Sequence, residues 1–127
     1  MNIQPNVQAA AEFAIEKLMG EAKGIKAVVV STEDGFEVAA RTENTAQVAR
    51  LSAIASSLAA LGAVAGEESR LGVCNSLVIE AEHGHIVMVQ ARHPVVDLIV
   101  SVVTGRDAII GQVLYFTKQA ALALRES

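Results

Sequence analysis

One cysteine, two prolines, one tyrosine and no tryptophan occur in 127 residues, and basic side chains form no cluster anywhere. The lone Cys74 excludes an internal disulfide and fits a reducing compartment, so a cytoplasmic location is expected. With three Phe, one Tyr and a net charge of -4, the chain has neither the stacking surface nor the positive field of a nucleic-acid binder. The phosphate-loop pattern of Gly, four residues, then Gly-Lys-Ser/Thr is missing, so the chain is not itself expected to hydrolyse a nucleotide. Pro5, Glu12, Glu16 and Lys17 interrupt any apolar core of an N-terminal signal, and no repeat, linker or low-complexity tract divides the chain. One domain over residues 1–127 is expected, long enough to bury a real core.

What the chain does have is apolar residues, 52% of the total, and a mean hydropathy of +0.41. Part of that excess should be buried between subunits. It is concentrated in the sixteen uncharged residues from Leu51 to Gly66. That run is too short and too rich in Ser and Gly to suggest a membrane span, which takes roughly 20 mostly apolar residues, so no membrane insertion is expected. Read as a helix, it has Leu51, Ile54, Leu58, Leu61 and Ala65 on one stripe, expected to rest on the protein's own core. Ala49, Ala53, Ser56, Ala60 and Ala63 make a second, flat stripe. Alanine is the best helix former, so propensity alone could produce such a stripe. A wet helix face nevertheless rarely goes four turns without Lys, Glu or Arg. The flat stripe is therefore expected to face a second copy.

The rest of the chain alternates cleanly between periods. Pro5 opens a first helix with Val7, Ala10, Ala11, Ala14, Ile15 and Leu18 on one face. Ala27 to Val30 is a buried strand, Glu33-Asp34-Gly35 a hairpin turn, and Phe36 to Ala39 its return. Asn44 and Gln47 resemble a capping box at the start of the long helix. Leu77 to Glu82, Ile86 to Ala91 and Leu98 to Thr104 give three further strands, the first two joined by a turn at His83-Gly84-His85. Asp107 is placed to cap a last helix whose inner face is Ile109, Val113, Phe116, Ala120 and Leu124. Short connections require antiparallel pairing. The fold class is α+β, a five-stranded antiparallel sheet covered by helices in the order helix, two strands, helix, three strands, helix.

Those elements, with Gly24 to Ser31 followed by Glu33-Asp34-Gly35, the Ala/Ser/Leu helix, Leu77 to Glu80 with Gly84, and Asp107 to Leu114 with Gly111, resemble the Roadblock/dynein light chain family. The likeness runs from about Val7 to Leu124 and lies in the order of the segments, none of which is a catalytic signature. It implies a sheet ordered second, first, fifth, fourth, third strand, with the central helix on one face and the terminal helices on the other. It also implies a dimer joined through central helices and third strands, as in prokaryotic single-domain members. The candidate interface is thus Ala49, Ala53, Ser56, Ala60 and Ala63 with the edge residues Leu77, Val78, Ile79 and Glu80. An unpaired edge there would be a hazard.

The resemblance further implies a Ras-like small GTPase as partner, its nucleotide cycle adjusted through differential affinity for two states. A scaffold for a non-GTPase assembly is the structural alternative. A small-ligand sensor is a third, weakened by the shortage of aromatic pocket residues. An activator could lend an arginine to the transferring phosphate, and Arg41, Arg50, Arg70, Arg92 and Arg106 are available. Solvated surface arginines are the simpler reading, and no residue is assigned as catalytic. His83 and His85 flank a turn glycine, but no third ligand is fixed near them, so no metal and no cofactor is expected. Cys74 lacks a neighbour that would activate it.

Overall fold

The computed structural model describes residues 4–127. Helix α1 spans Pro5–Glu21, strand β1 Ile25–Thr32 and strand β2 Glu37–Arg41; helix α2 spans Ala46–Glu68. Strands β3 (Ser76–Ala81), β4 (Gly84–Arg92) and β5 (Asp97–Thr104) follow, and helix α3 (Ile110–Arg125) closes the chain. The five strands form one antiparallel sheet in the order β2-β1-β5-β4-β3. Fold class and element order are those read from the sequence, and the strand order is the one the family resemblance implies.

The β-branched run in β1 sits between two other strands, and every residue from Ala27 to Thr32 is buried. Its return into β2 is a tight turn in which Gly35 takes φ +98, a conformation costly for any side chain with a Cβ. The Thr32 N–H donates to the Phe36 carbonyl at 2.7 Å, and the Phe36 N–H donates to Thr32 Oγ1 at 3.0 Å. The second hairpin is shifted from its expected place. Ala81 pairs with Gly84, so Glu82 and His83 are the turn, while Gly84 and His85 already belong to β4.

Alternation along the strands divides the core in two. Val28, Val30, Val87, Val89, Leu98, Val100 and Val102 point to α1 and α3 and meet Val7, Ile15, Leu18, Val113 and Leu124. Val29, Met88 and Ile99 point the other way, to Val48, Leu51, Ala55 and Ala59 of α2. Each fully buried Val or Leu contributes about 1.5–3 kcal/mol, so the thicker α1/α3 layer carries most of the stability.

Two local expectations fail at helix ends. Asn44 Oδ1 accepts the Ala46 N–H at 3.1 Å, an Asx turn, and Thr45 occupies the N-cap position without a side-chain cap. Asp107 does not cap α3, which starts after an extended Ile109. The inner face of α3 is accordingly Val113, Thr117, Ala120, Ala121 and Leu124, with Ile109 exposed and Phe116 only half-buried. Thr117 fits there because its hydroxyl donates to the Val113 carbonyl at 2.6 Å.

The α2 layer contains three polar faults. Ser31 and Ser101 lie on the strand face that carries Val29 and Ile99, and Ser52 sits on the helix above it. All three hydroxyls are buried, and none has a hydrogen-bond partner among the described residues. A buried hydroxyl without a partner costs about 1–3 kcal/mol, and Ala is also the better helix former. Ser52→Ala should therefore raise stability by about 1 kcal/mol. The check is the urea midpoint at fixed protein concentration, and a fall in the midpoint would show that the hydroxyl is satisfied.

Candidate functional site

The aliphatic residues of α2 do not all rest on the sheet as expected. The buried face is Val48, Leu51, Ser52, Ala55, Ala59 and Gly62. Ile54, Leu61 and Val64 are 49%, 63% and 56% exposed, and Leu58 is half-buried. Small side chains let the helix lie close to the strands, and that seat turns the larger ones outward. By length and composition α2 could cross a bilayer, yet only 28% of its most apolar eighteen-residue window is buried within the fold. Its own sheet occupies one side along most of its length, so the rest is a free apolar surface on a folded domain.

The two flanks of α2 differ. On one, Ser56 Oγ donates to the Glu33 carbonyl at 2.7 Å, which ties that flank to the β1–β2 turn. Rotation of 100° per residue then places Ile54, Leu58, Leu61 and Ala65 on the opposite flank, above β4 and β3. Leu77 and Ile79 pair with Met88 and Ile86, members of the α2-side core, so both point to that same side of the sheet. No helix covers them fully, and both are half-buried. Among the described residues the outer edge of β3 has no strand partner. An apolar ledge thus continues from the flank of α2 onto an open strand edge.

The chain segment between α2 and β3 carries further exposed apolar side chains. Leu71 and Val73 are among its most exposed apolar residues. The segment is brought close by two helix glycines. A Cβ on Gly66 would lie 2.3 Å from the Gly72 carbonyl oxygen, and one on Gly62 would lie 2.9 Å from Cys74 Sγ. Arg70, at φ +57, makes the reversal that ends the helix.

The expected interface residues are placed as follows. Ala49, Ala53, Ala60 and Ala63 are exposed, and Ser56 is half-buried with its hydroxyl engaged. Val78 and Glu80 are exposed on β3, and Leu77 and Ile79 are half-buried. The structure brings Leu77 and Ile79 to the α2 side of the sheet with Leu58, while Val78 and Glu80 alternate to the opposite face. The alanine stripe lies further round the helix, separated from β3 by Leu61 and Val64. Sequence reasoning missed Ile54, Leu61 and Val64 as surface residues. The signal that could have found them is the run of small residues Ser52, Ala55, Ala59 and Gly62, which marks a face pressed against backbone.

The remaining candidates are scattered. Arg41 pairs with Glu16, Arg92 donates to Asn75 Oδ1 at 3.2 Å, and Arg106 Nη2 donates to His83 Nδ1 at 2.6 Å. With that nitrogen engaged, only Nε2 of His83 is free, and it lies 4.0 Å from Glu82. Among the described residues no three of His, Cys, Asp and Glu converge as a metal set. Cys74 is half-buried, its thiol 3.5 Å from the Ser76 carbonyl.

No protein-family model and no curated protein matches the chain. Solved structures do. The gliding protein MglB from Thermus thermophilus superposes with a TM-score of 0.83 at 16% identity, covering 98% of this chain and 92% of that one. An MglB solved in a tetrameric arrangement gives 0.85 at 17% identity, with 98% and 91% covered. A Roadblock/LC7 domain from Streptomyces avermitilis gives 0.80 at 19% identity, with 90% and 93% covered. The fold is that of the Roadblock/LC7 domain. Within this Roadblock/LC7 fold, the surface left unfinished is the α2–β3 ledge.

Gly66→Ala and Gly62→Ala should part company. A mid-helix Gly→Ala change normally gains about 1 kcal/mol. At Gly66 a backbone carbonyl blocks the methyl, so a net loss of about 1–3 kcal/mol is expected; at Gly62 the cysteine side chain can rotate away and the change should be tolerated. Thermal melting of both variants decides it, and equal gains would mean that the 71–75 segment does not press on the helix.

Proposed function

We propose that this protein is a self-associating regulatory adaptor. Two copies pair through the α2 flank and the β3 edge, and the dimer binds a Ras-like small GTPase and adjusts its nucleotide cycle. The observation that carries the reading is the apolar ledge, continuous from Ile54, Leu58 and Leu61 to Leu77 and Ile79 at an unpaired strand edge. A second copy related by a two-fold axis supplies the same ledge, so pairing β3 with β3 would place the partner's α2 beside the first. Edge hydrogen bonds and apolar burial then act together, and the crest of the helix at Ala53, Ala60 and Val64 closes the contact. Likeness of fold to MglB supports a role in regulating motility, and it is the ground for expecting a GTPase.

Regulation in this reading needs no catalytic residue from the adaptor. A surface that fits one switch conformation better than the other shifts the partner's population by the ratio of its two affinities. A second reading, a scaffold that assembles beyond the dimer, draws on the tetrameric arrangement of one fold neighbour and on the other open edge, β2.

Self-association predicts a solution mass of twice the 13.3 kDa chain. Leu61→Glu combined with Val64→Glu should reduce it to the single-chain value with helix content unchanged. Light scattering after size exclusion measures this, and an unaltered mass would remove the ledge from the interface. For the partner, a small GTPase encoded beside this gene is loaded with GTP or GDP and captured on the immobilised protein. Preference for one state of about fivefold or more is expected, since coupling free energies typically run about 1–3 kcal/mol. Equal capture of both states would overturn regulation, while a mass larger than the dimer would favour the scaffold.

A further inference from the structure

Arg92, Lys118 and Arg125, three of the ten Lys and Arg residues, line one groove between α3 and the end of β4. It holds about 300 Å3 and opens on the face opposite α2, over the strand side that carries Val89 and Ala91. Asp and Glu outnumber Lys and Arg by 14 to 10 in the chain, yet no carboxylate lines this groove. Among the described residues Lys118 and Arg125 form no ion pair. Arg92 is held in place by neutral acceptors, Asn75 Oδ1 at 3.2 Å and the Cys74 carbonyl at 3.5 Å, and it too forms no ion pair among the described residues, although Asp97 stands opposite it on β5.

A cation in the last turn of a helix is favoured by the helix dipole, which accounts for Arg125 alone. It does not account for Lys118, two turns earlier, or for Arg92 on the opposite wall. Between the cations lies Leu122, exposed, and beyond the groove Val78 of β3 is exposed on the same side of the sheet. The result is a groove beside α3 with an apolar floor and positive charge spaced along its α3 and β4 walls. Glu80, at the far end of β3, carries the opposite sign.

Lys118, Leu122 and Arg125 stand at i, i+4 and i+7, a two-turn pattern about 10 Å long. One inorganic anion is too short to meet both charges, and a flat bilayer does not follow a concave wall. A helix laid along α3 repeats the same spacing. We propose that this groove docks an acidic amphipathic helix of a partner protein, with carboxylates two turns apart against Lys118 and Arg125 and an aliphatic side chain between them on Leu122. Arg92 closes the site from the β4 side. This inference does not rest on the GTPase reading, and its test contains no nucleotide.

The probe is a fluorescein-labelled, alanine-rich helical peptide with two Glu seven residues apart and Leu between them, titrated with the full chain at low salt and followed by anisotropy. Binding is expected, weakening by about tenfold or more for Lys118→Glu with Arg125→Glu, for the Gln version of the peptide, and on raising the salt. Lys17→Glu with Lys23→Glu, an equal change of charge away from the groove, should leave binding within about twofold. Circular dichroism establishes that both double variants fold. The proposal is overturned if no binding occurs, if both double variants weaken it alike, or if groove reversal leaves it unchanged. Pyrophosphate or phosphatidylserine vesicles binding where the peptide does not would equally overturn it, by assigning the groove to a small anion or a membrane.

Discussion

Close contact between α2 and the sheet is the constraint from which the rest of this molecule follows. Ser52, Ala55, Ala59 and Gly62 form the seat, and none is larger than a serine. A helix seated on such residues lies nearer to the strands than one seated on leucines. The nearer it lies, the less room there is beneath it for Ile54, Leu61 and Val64. Those side chains are displaced to the flank and crest, where the domain itself has nothing to cover them. The same closeness traps three serine hydroxyls without partners, so the α2 layer combines thin apolar burial with unpaired polar groups.

The two faces of the sheet are consequently different in kind. The α1/α3 face is a thick aliphatic core, and its one buried hydroxyl on α3, that of Thr117, is satisfied by its own helix. The α2 face is a thin one that ends at an open strand. Strand β3 lies outside the helices on both sides: its α2 side continues the apolar ledge, and its α3 side borders the cationic groove. An edge strand with a vacant place above and below it has room for partners on both faces at once.

Much of this was legible beforehand. Period-two and period-3.6 patterns located every strand and helix, and the turn at Glu33-Asp34-Gly35 was read from its glycine. The resemblance anticipated the strand order. The misreadings share a cause. Asp107 and Asn44 are good cap residues whose local geometry was set by how the following helix docks, and of the expected α3 stripe Val113, Ala120 and Leu124 are buried, Phe116 is half-buried and Ile109 is exposed. In α2 nearly every face is apolar or small, so hydrophobic periodicity has no single maximum, and the choice between the leucine stripe and the small-residue stripe is not a local one. The cationic groove was invisible for a related reason: Arg92 at the end of β4 is separated from Lys118 and Arg125 on α3 by strand β5 and its flanking loops.

By itself the sequence determined what each segment could be, because helix and strand preferences and turn chemistry act over a few residues. It also determined that apolar surface would be in excess, since composition does not depend on conformation. Which side of α2 meets the sheet was decided only by tertiary packing, where the close approach allowed by Ser52, Ala55, Ala59 and Gly62 outweighs the larger area of Ile54 and Leu61. The same holds for the meeting of three cations beside α3. Like charges so far apart along the chain become neighbours only when β4 and α3 are packed together, and no pattern read along the chain encodes that distance.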